Sequence, residues 1–493
     1  MKDYILLLPI LFPAVAALFT LVIGKKFSDR GFRQVYVGIT LALTLVFTLL
    51  AVSSEGRSLL VLNLTSNLPI YLKVDKMTML FDTLVSVMWL LAGVYSFEYM
   101  KHEDNNESFY LFYLLTEAVL VALGMAGNFM TLYLFYEFMT LLSLPLALHS
   151  RTKEAISGGL KYLFYSIFGA SLALLGFFFM NYYGNINFVA GGTLDMTKVA
   201  GNEGLLYIIF FLTIIGFSIK AGMFPFHGWL PSAHPVAPAP ASAVLSGVIT
   251  KAGVLAIIRV IYYQVGVDFI KGTWVQYAFM TLTLITVFMG SMMAFKENVL
   301  KKRLAYSSVS QVSYVLFGLS TMTVIGFTGA LLQVVFHSIT KNLLFMAAGS
   351  IIYKTHKTKV DELKGIGKSM PITMWCFTIG GLALVGIPPM TGFVSKWFLA
   401  QGSLASGVPY LNYVGPIILL TSALLTAGYL FTISISAFIP GADFDYGTVE
   451  KKDPNLYMII PLVLLAVLCV VCGTFSTPLI DFFARIATSI ISA

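Results

Sequence analysis

Charged residues are scarce in this chain. Of its 493 residues only 11% are Asp, Glu, Lys or Arg, whereas 58% are hydrophobic. A soluble protein usually carries about 25% charged residues, so the composition excludes an ordinary soluble domain and indicates an all-α polytopic membrane protein. The net charge of +8 does not indicate nucleic-acid binding, because the basic residues lie in short loops between apolar runs.

Cysteines are also few, and their pattern does not indicate a redox centre. Two of the three form a C-x-x-C pattern, Cys469 and Cys472, which in other contexts marks a redox or metal site. Here the pattern lies in an apolar run without further Cys or His nearby, so both residues are interpreted as small apolar side chains. The sequence therefore predicts no cofactor and no metal on this chain.

Long apolar runs are what the sequence has instead. A membrane-spanning helix needs about 20 mainly apolar residues, and about fourteen such runs are present. They lie near residues 4–24, 34–52, 77–97, 109–126, 128–148, 160–183, 205–225, 241–263, 274–295, 304–322, 326–353, 371–401, 412–439 and 456–478. Basic residues follow the first run rather than precede it, so it is predicted to be a retained helix and not a signal peptide.

The loops after odd-numbered runs hold most of the basic residues. They carry Lys25, Lys26, Arg30, Arg33, Arg151, Lys153, Lys296, Lys301, Lys302, Arg303, Lys354, Lys357, Lys359, Lys364 and Lys368. Loops rich in Lys and Arg face the cytoplasm. We therefore expect a multi-pass protein of the cell inner (cytoplasmic) membrane with both termini on the outer side.

Two apolar runs are interrupted by proline. Pro225 breaks the seventh run soon after Lys220, and Pro388–Pro389 breaks the twelfth. Transporters place ion sites at such broken helices. The breaks are five runs apart, which predicts two inverted five-helix repeats with broken helices 7 and 12.

Ionisable residues inside the runs are rare, and a lysine at mid-membrane depth costs roughly 2.5–3.5 kcal/mol on insertion scales. The most central are Glu137, Lys220, Lys251, His337, Lys341 and Lys396, and the secondary candidates are Glu117, Asp82, His227 and His234. Structural roles, as ion pairs, as groups bonded to the backbone or as interfacial lysines, remain open for each. The four lysines outnumber the three acids, so they cannot all be charged and paired, which favours a proton relay.

Several of these residues lie in segments that resemble one family. The segments are FYEFMTLLSLPL, IKAGMFPFHGWLPSAHPVAPAPASAVLSGVITKAG, LKKRLAYSSVSQVSYVLFGL, FHSITKNLLFMAAG and GIPPMTGFVSKW. In this order they resemble the antiporter-like subunits of complex I, membrane-bound hydrogenases and Mrp-type sodium/proton antiporters. The resemblance implies fourteen helices, a Glu137–Lys220 pair, a central Lys251, His337 and Lys341 on the eleventh helix, and an exit lysine at Lys396.

Departures from the family pattern narrow the range of subunit types that this sequence resembles. M-type subunits of complex I carry Glu at the position of Lys396, whereas N-type, Mrp D-type and several hydrogenase subunits carry Lys. L-type subunits continue into a long lateral helix, and this sequence ends soon after its fourteenth run. The FPFHGWLPSAHPVAP segment is more similar to complex I and hydrogenase subunits than to the Mrp D-type.

The sequence divides into four regions on this interpretation. Residues 1–108 hold helices 1–3, residues 109–263 the first repeat (helices 4–8), residues 274–439 the second repeat (helices 9–13), and residues 440–493 helix 14 and the tail. The expected partners are other membrane subunits, the lipid bilayer and H⁺ or Na⁺, with no nucleic acid.

Three functions are compatible with the sequence. The leading hypothesis is a proton-translocating, or sodium-translocating, subunit of a redox-driven complex of the complex I or membrane-bound hydrogenase type, whose redox centres lie on other subunits. The second is the D-type subunit of a Mrp secondary antiporter, driven by ion gradients alone. The third is a structural membrane subunit with inert ion pairs, in which neutralising Lys251 would leave transport intact.

Overall fold

The chain folds almost entirely into helices. The computed structural model describes residues 2–53, 55–442, 444–446 and 450–492. The side chains of Lys25 and Lys26, used above to predict orientation, lie outside that description. We number the helices after the predicted spans: α1 (Leu8–Ile23), α2 (Arg30–Val52), α3 (Lys76–Tyr99), α4 (Asn106–Gly124), α5 (Phe129–Ala147), α6 (Lys153–Tyr183), α7a (Glu203–Ala221), α7b (Leu230–Ala233), α8 (Ala239–Val265), α9 (Trp274–Lys296), α10 (Leu300–Ser320), α11 (Val324–Thr355), α12a (Pro371–Val385), α12b (Thr391–Leu404), α13 (Leu411–Phe438), α14 (Leu456–Thr474) and α15 (Thr477–Ile491).

The number of membrane-spanning helices is close to the predicted one. In the described part of the chain, twelve helices are long and apolar enough to cross a membrane. The two remaining predicted spans differ in kind: α10 is long but rich in serine, and the twelfth span consists of the shorter α12a and α12b. The structure thus establishes a multi-pass helical membrane protein, while the count of fourteen spans stays a prediction.

Some elements were not predicted. A β-hairpin, β1 (Ser58–Thr65) and β2 (Leu68–Lys73), fills the connection between α2 and α3, and α15 follows α14 after a short bend. Short helical turns also occur in the connections, at Lys2–Leu7, Lys25–Ser28, Met100–His102, Met196–Val199, His227–Trp229, Val267–Ile270, Val360–Leu363 and Ile366–Ser369.

Side-chain caps begin many of these helices. Asp29, Asp75, Asn128, Thr152 and Thr323 each accept a hydrogen bond from the backbone N–H three residues later. Such caps satisfy donors that the first helical turn leaves free. They therefore fix where α2, α3, α5, α6 and α11 start.

Both predicted helix breaks are present. α7a ends at Ala221, and Gly222 follows with φ +80° and donates its N–H to the Ile219 carbonyl. α12a ends at Val385 in the same way, with Gly386 at φ +89°. A left-handed residue closes a helix most easily when it is glycine, and the prolines that follow cannot continue the helix. The sequence thus ends α7a at Ala221 and α12a at Val385, a few residues before the prolines.

The centre of the molecule is formed by α8 and α11. The apolar stretch of α8 is 100% buried and that of α11 is 94% buried, against 33% for the N-terminal span. Peripheral helices instead expose apolar side chains such as Val22 and Leu424, as lipid-facing helices do. The buried ionisable residues of α8 and α11 therefore lie far from lipid as well as from water.

Candidate functional site

Lys251 lies at the centre of the buried core. α8 widens into a π-helical segment at Leu245–Ile249, where the regular backbone bonding pattern is shifted. The Lys251 Nζ atom donates to the Ser246 carbonyl oxygen of this segment at 2.6 Å and lies 2.7 Å from Nδ1 of His337 on α11. The two central ionisable residues that the sequence places on different helices are thus in direct contact.

His337 connects Lys251 to a small polar cavity. Its Nδ1 atom faces Lys251, and its Nε2 atom is buried without a hydrogen-bond partner among the described residues. The ring lines a cavity of about 10 Å³ together with Gln311, Gln333 and Leu384. A polar cavity of that size holds about one water molecule. A water there would give Nε2 a partner.

A hydrogen-bonded chain that the sequence analysis missed borders this cavity. Gln333 donates to the Gln311 side chain at 2.9 Å and accepts from the Ser395 hydroxyl at 2.6 Å. Gln333 lies four residues before His337 on α11, so the two share one helix face. That spacing is a signal in the sequence that would have found it. The chain joins α10 and α11 to α12b.

Lys396 spans the break between α12a and α12b. Its Nζ atom donates to the backbone carbonyls of Leu384 at 2.6 Å and Val385 at 2.7 Å, at the end of α12a. The last carbonyls of a helix lack partners within the helix and attract cations. Leu384 also lines the cavity beside His337, so Lys396 contacts the wall of that cavity.

Lys341 is fully buried on α11, one turn after His337. Its Nζ atom donates to the Leu304 carbonyl of α10 at 3.0 Å and contacts the Ser307 hydroxyl. No hydrogen bond joins Lys341 to His337 among the described residues. The predicted pair of α11 therefore shares a helix face, but each member binds a different neighbouring helix.

Lys220 is held by hydroxyl groups. Its Nζ atom donates to Thr140 at 2.8 Å, Tyr162 at 2.8 Å and Ser166 at 3.0 Å, and it lies 4.2 Å from the centre of the Tyr162 ring. An ammonium over an aromatic face gains electrostatic stabilisation. These neutral contacts satisfy all three of its donors.

Glu137 is half-buried and does not form an ion pair with Lys220. One of its oxygens accepts from the Tyr133 hydroxyl at 3.1 Å, and the described ion pairs lie elsewhere in the chain. Thr140, which binds Lys220, is three residues after Glu137 on α5. The predicted Glu137–Lys220 pair is therefore open in this structure, with both groups on the same side of α5.

The predicted link between Lys220 and Lys251 is also not a direct one. α7a and α8 pack closely, since a Cβ atom at Gly253 would lie 3.1 Å from Cβ of Lys220. The two ammonium groups nevertheless bind different partners. Lys220 binds hydroxyl groups, whereas Lys251 binds the Ser246 carbonyl and the His337 ring. Of the two expected links of Lys251, the one to His337 is therefore a direct contact, and the one to Lys220 is not.

None of the four secondary candidates forms a hydrogen bond with the six primary candidates among the described residues. Asp82 on α3 and Glu117 on α4 are fully buried, and their carboxyl oxygens have no hydrogen-bond partner among the described residues. His234 stacks on Phe345 at 4.9 Å with both ring nitrogens unpartnered, and His227 is half-buried near the α7 break. A buried polar group without a partner is costly, so each of these needs an explanation.

A buried ion pair was missed altogether. Arg259, on α8 and only 2% exposed, binds the Asp75 carboxylate with both terminal nitrogens. Its guanidinium also lies 4.7 Å from the Tyr263 ring and 5.2 Å from the Phe188 ring. Asp75 precedes the third apolar run, and Arg259, although it lies inside the eighth run, was not among the ionisable residues singled out there.

Comparison with known proteins gives the family. Residues 126–426 match the family described as "NADH:quinone oxidoreductase/Mrp antiporter, TM", and residues 62–110 match "NADH-Ubiquinone oxidoreductase (complex I), chain 5 N-terminus". The chain belongs to the NADH:quinone oxidoreductase/Mrp antiporter family. The matched residues 126–426 include all six primary candidates, from Glu137 to Lys396. The resemblance predicted from the sequence is confirmed.

Relatives within this family come from more than one kind of complex. The chain is 31% identical to the N-type subunit of an NADH-quinone oxidoreductase of Desulforudis audaxviator, covering 81% of this chain and 80% of the relative. It is 26% identical to the D-type subunit of a Na(+)/H(+) antiporter of Alkalihalophilus pseudofirmus, covering 99% and 97%. The chain is thus an antiporter-like membrane subunit of the complex I, hydrogenase or Mrp type.

A solved structure shares the fold over nearly the whole chain. It is that of an archaeal membrane-bound sulfane sulfur reductase, a respiratory membrane complex, with a TM-score of 0.84 and 24% sequence identity over 99% of this chain and 97% of that chain. At this identity the likeness shows the fold alone.

Proposed function

We propose that this chain is a proton-translocating subunit of a redox-driven membrane complex of the complex I or membrane-bound hydrogenase type. Its protons move along Glu137, Lys220, Lys251, His337, Lys341 and Lys396. The observation that carries the proposal is the 2.7 Å contact between Lys251 and His337 in the fully buried core. A structural role has no need of two ionisable groups there, whereas a relay needs a donor and an acceptor within hydrogen-bond reach.

The proposed mechanism begins at the open Glu137–Lys220 pair. When the pair closes, the carboxylate stabilises the Lys220 ammonium; when it opens, as here, the ammonium loses that stabilisation and passes its proton towards Lys251. A change of one pKa unit corresponds to about 1.4 kcal/mol, so a small movement of Glu137 is enough to shift the equilibrium of proton transfer from Lys220 towards Lys251. Thr140 and the Tyr162 hydroxyl hold Lys220 in the meantime.

The second half of the path runs from His337 to Lys396. Lys251 donates a proton to Nδ1 of His337, and the imidazole releases its other proton from Nε2 into the cavity bordered by Gln311 and Gln333. A water in that cavity carries the proton towards the α12 break, where Lys396 binds the carbonyls of Leu384 and Val385. Lys341, one turn after His337, takes part through the Ser307 hydroxyl, to which its Nζ atom donates.

The setting of this activity follows from the sequence. We propose two inverted repeats, residues 109–263 and 274–439, which place the two helix breaks on related positions. The basic loops favour a cytoplasmic membrane with both termini on the outer side. Partner subunits supply the redox centres, because the chain's own motifs favour no cofactor.

Lys251 offers the sharpest test of the relay. In the complex reconstituted into vesicles, Lys251→Ala and Lys251→Arg should both abolish proton translocation, measured with a pH-sensitive dye. Arginine keeps the positive charge but does not release its proton. The exposed Lys153→Ala variant is the matched control and should transport normally. Transport by Lys251→Arg at the wild-type rate would show that Lys251 is an electrostatic spectator.

The second candidate function is the D-type subunit of a Mrp antiporter. It is favoured by the relative from the Na(+)/H(+) antiporter, whose alignment covers 99% of this chain. Under that function an imposed sodium gradient alone should drive proton movement in the vesicles, without electron transfer. Proton movement that requires electron transfer and ignores the sodium gradient would favour the redox-driven complex.

A further inference from the structure

α10 is rich in buried serine, and one of these serines contacts the π-helical segment of α8 that holds Lys251. Ser308 is fully buried, and its Oγ atom lies 2.6 Å from the Oγ atom of Ser246. Ser308 also donates to the Leu304 carbonyl oxygen, 2.9 Å away on its own helix. A serine hydroxyl has only one proton to donate, so Ser246 is the donor in its bond to Ser308. We call these two serines the hydroxyl bridge.

Each end of the hydroxyl bridge leads to a buried lysine. On α8, the carbonyl oxygen of Ser246 accepts from the Nζ atom of Lys251 at 2.6 Å. On α10, the carbonyl oxygen of Leu304 accepts from the Nζ atom of Lys341 at 3.0 Å. A series of hydrogen bonds, completed by the residues Ser246 and Leu304 themselves, thus joins the two lysines without passing through His337.

The two lysines are also close enough for their charges to interact. The positive charge of Lys341 acts on Lys251, and like charges repel each other more strongly in a buried setting than in water. Neither lysine has a carboxylate partner among the described ion pairs. The carbonyls of Ser246 and Leu304 hold the two ammonium groups in place against that repulsion, and the hydroxyl bridge ties these carbonyls to each other.

We propose that Ser308 is a positioning residue of the proton path: by its bond to Ser246 it holds in fixed relative positions the two carbonyls that bind the buried lysines of α8 and α11. The hydroxyl bridge moves no proton itself. When Lys341 gives up its proton, the repulsion on Lys251 falls, and Lys251 gains a proton more readily. That response depends on the distance between the two groups, which the bridge sets. This inference rests on the proposed function, because it needs both lysines to carry protons.

The number of protons translocated per electron transferred, measured on the intact complex in vesicles, tests this role. Ser308→Ala removes the bridge without changing any charge, and the ratio should fall about fivefold, which corresponds to one neutral hydrogen bond of about 1 kcal/mol. Ser313→Ala is the matched control, because Ser313 is fully buried on the same helix and its hydroxyl has no hydrogen-bond partner among the described residues. A loss of folded complex lowers both transfers but not their ratio.

Two further comparisons separate the hydroxyl group from the space that it fills. Ser308→Thr keeps the hydroxyl and Ser308→Val has nearly the same shape without it, so only the threonine variant should approach the wild-type ratio. Ser246→Ala combined with Ser308→Ala should lower the ratio no further than Ser308→Ala alone, because both changes remove the same bond. Equal ratios for the threonine and valine variants, or losses that add in the double variant, would overturn the proposal.

The same measurements distinguish this inference from the proposed function. If Lys251→Ala abolishes proton translocation while Ser308→Ala matches the wild type, the positioning role is wrong and the main path stands. If the wild type translocates no protons, the proposed function fails and this inference fails with it.

Discussion

At the scale of single residues, the site combines charge with neutral hydrogen-bond partners. Lys220, Lys251, Lys341 and Lys396 bind hydroxyls, backbone carbonyls or an imidazole, and none of them forms an ion pair among the described residues. An ammonium paired with a carboxylate is held in its charged form. Neutral partners leave each lysine able to gain and lose its proton.

The first prediction concerns Glu137. Glu137→Gln should leave the complex assembled, because the side chain makes one described hydrogen bond and no ion pair, and should abolish most proton translocation in vesicles. Glu137→Asp should retain part of it, since the charge survives with a shorter reach. The exposed Glu154→Gln variant is the control. Normal pumping by Glu137→Gln would refute the role of the carboxylate.

At the scale of helices, close packing depends on glycine where the site helices cross. A Cβ atom at Gly216 of α7a would lie 2.5 Å from the Gly169 carbonyl oxygen of α6, and one at Gly169 would lie equally near the Gly216 carbonyl oxygen. Small residues let membrane helices approach in this way. The contact brings Ser166 and Tyr162 of α6 against Lys220 of α7a.

The second prediction follows from this contact. Gly216→Ala should lower the stability of the purified protein by about 1–3 kcal/mol, as overpacking does. Gly204→Ala lies on the same helix with open space around it and should be neutral or stabilise by up to about 1 kcal/mol. Thermal unfolding in detergent measures both. Equal melting temperatures for the two variants would contradict the packing argument.

The third prediction concerns the ion pair that joins α3 to α8. Asp75→Asn should destabilise the protein by about 3–5 kcal/mol, because it leaves the Arg259 guanidinium buried without its partner. Adding Arg259→Met should recover part of that loss. The more exposed pair Lys302–Glu297 is the control, and Glu297→Gln should cost about 1 kcal/mol or less. A double variant no more stable than Asp75→Asn would argue against a direct pair.

At the scale of the whole molecule, the arrangement places two helix breaks around one buried centre. α8 and α11 meet at Lys251 and His337. The broken spans α7 and α12, which carry Lys220 and Lys396, pack against α8 and α11 respectively. Broken helices are tolerated at membrane depth because neighbouring protein surrounds the freed backbone. The exposed apolar helices separate this centre from lipid.

The fourth prediction tests the orientation of the molecule. In sealed vesicles, Lys357→Cys in the loop after α11 should react with an impermeant thiol reagent only from the cytoplasmic side. Asn202→Cys, in the loop before α7a, should react only from the outer side, and both positions are exposed. The three native cysteines must first be replaced by serine or alanine. The reverse labelling would overturn the orientation drawn from the basic loops.

Most of the helices could be predicted from the sequence, because a membrane-spanning helix is recognised from the apolar length of its own segment. Apolar length gave the helices, and Pro225 and Pro388–Pro389 with the glycines before them gave the breaks near which α7a and α12a end. The hairpin β1–β2 was missed because neither strand alternates apolar and polar residues: β1 carries apolar side chains on a surface, and β2 buries only Ile70 and Leu72. α15 was missed because its 15 residues are fewer than a membrane span needs, so they were assigned to the tail.

The sequence by itself determined which residues could carry charge into the membrane, since an ionisable group in an apolar run is visible whatever the fold. It left open which of them meet. Only the tertiary structure brought Lys251 against His337, 86 positions away, left Glu137 apart from Lys220, and placed Asp82 beside Gly124. Contacts between helices depend on their rotation and depth, which are set by glycine contacts and by pairs such as Arg259–Asp75, and no local pattern along one helix encodes them.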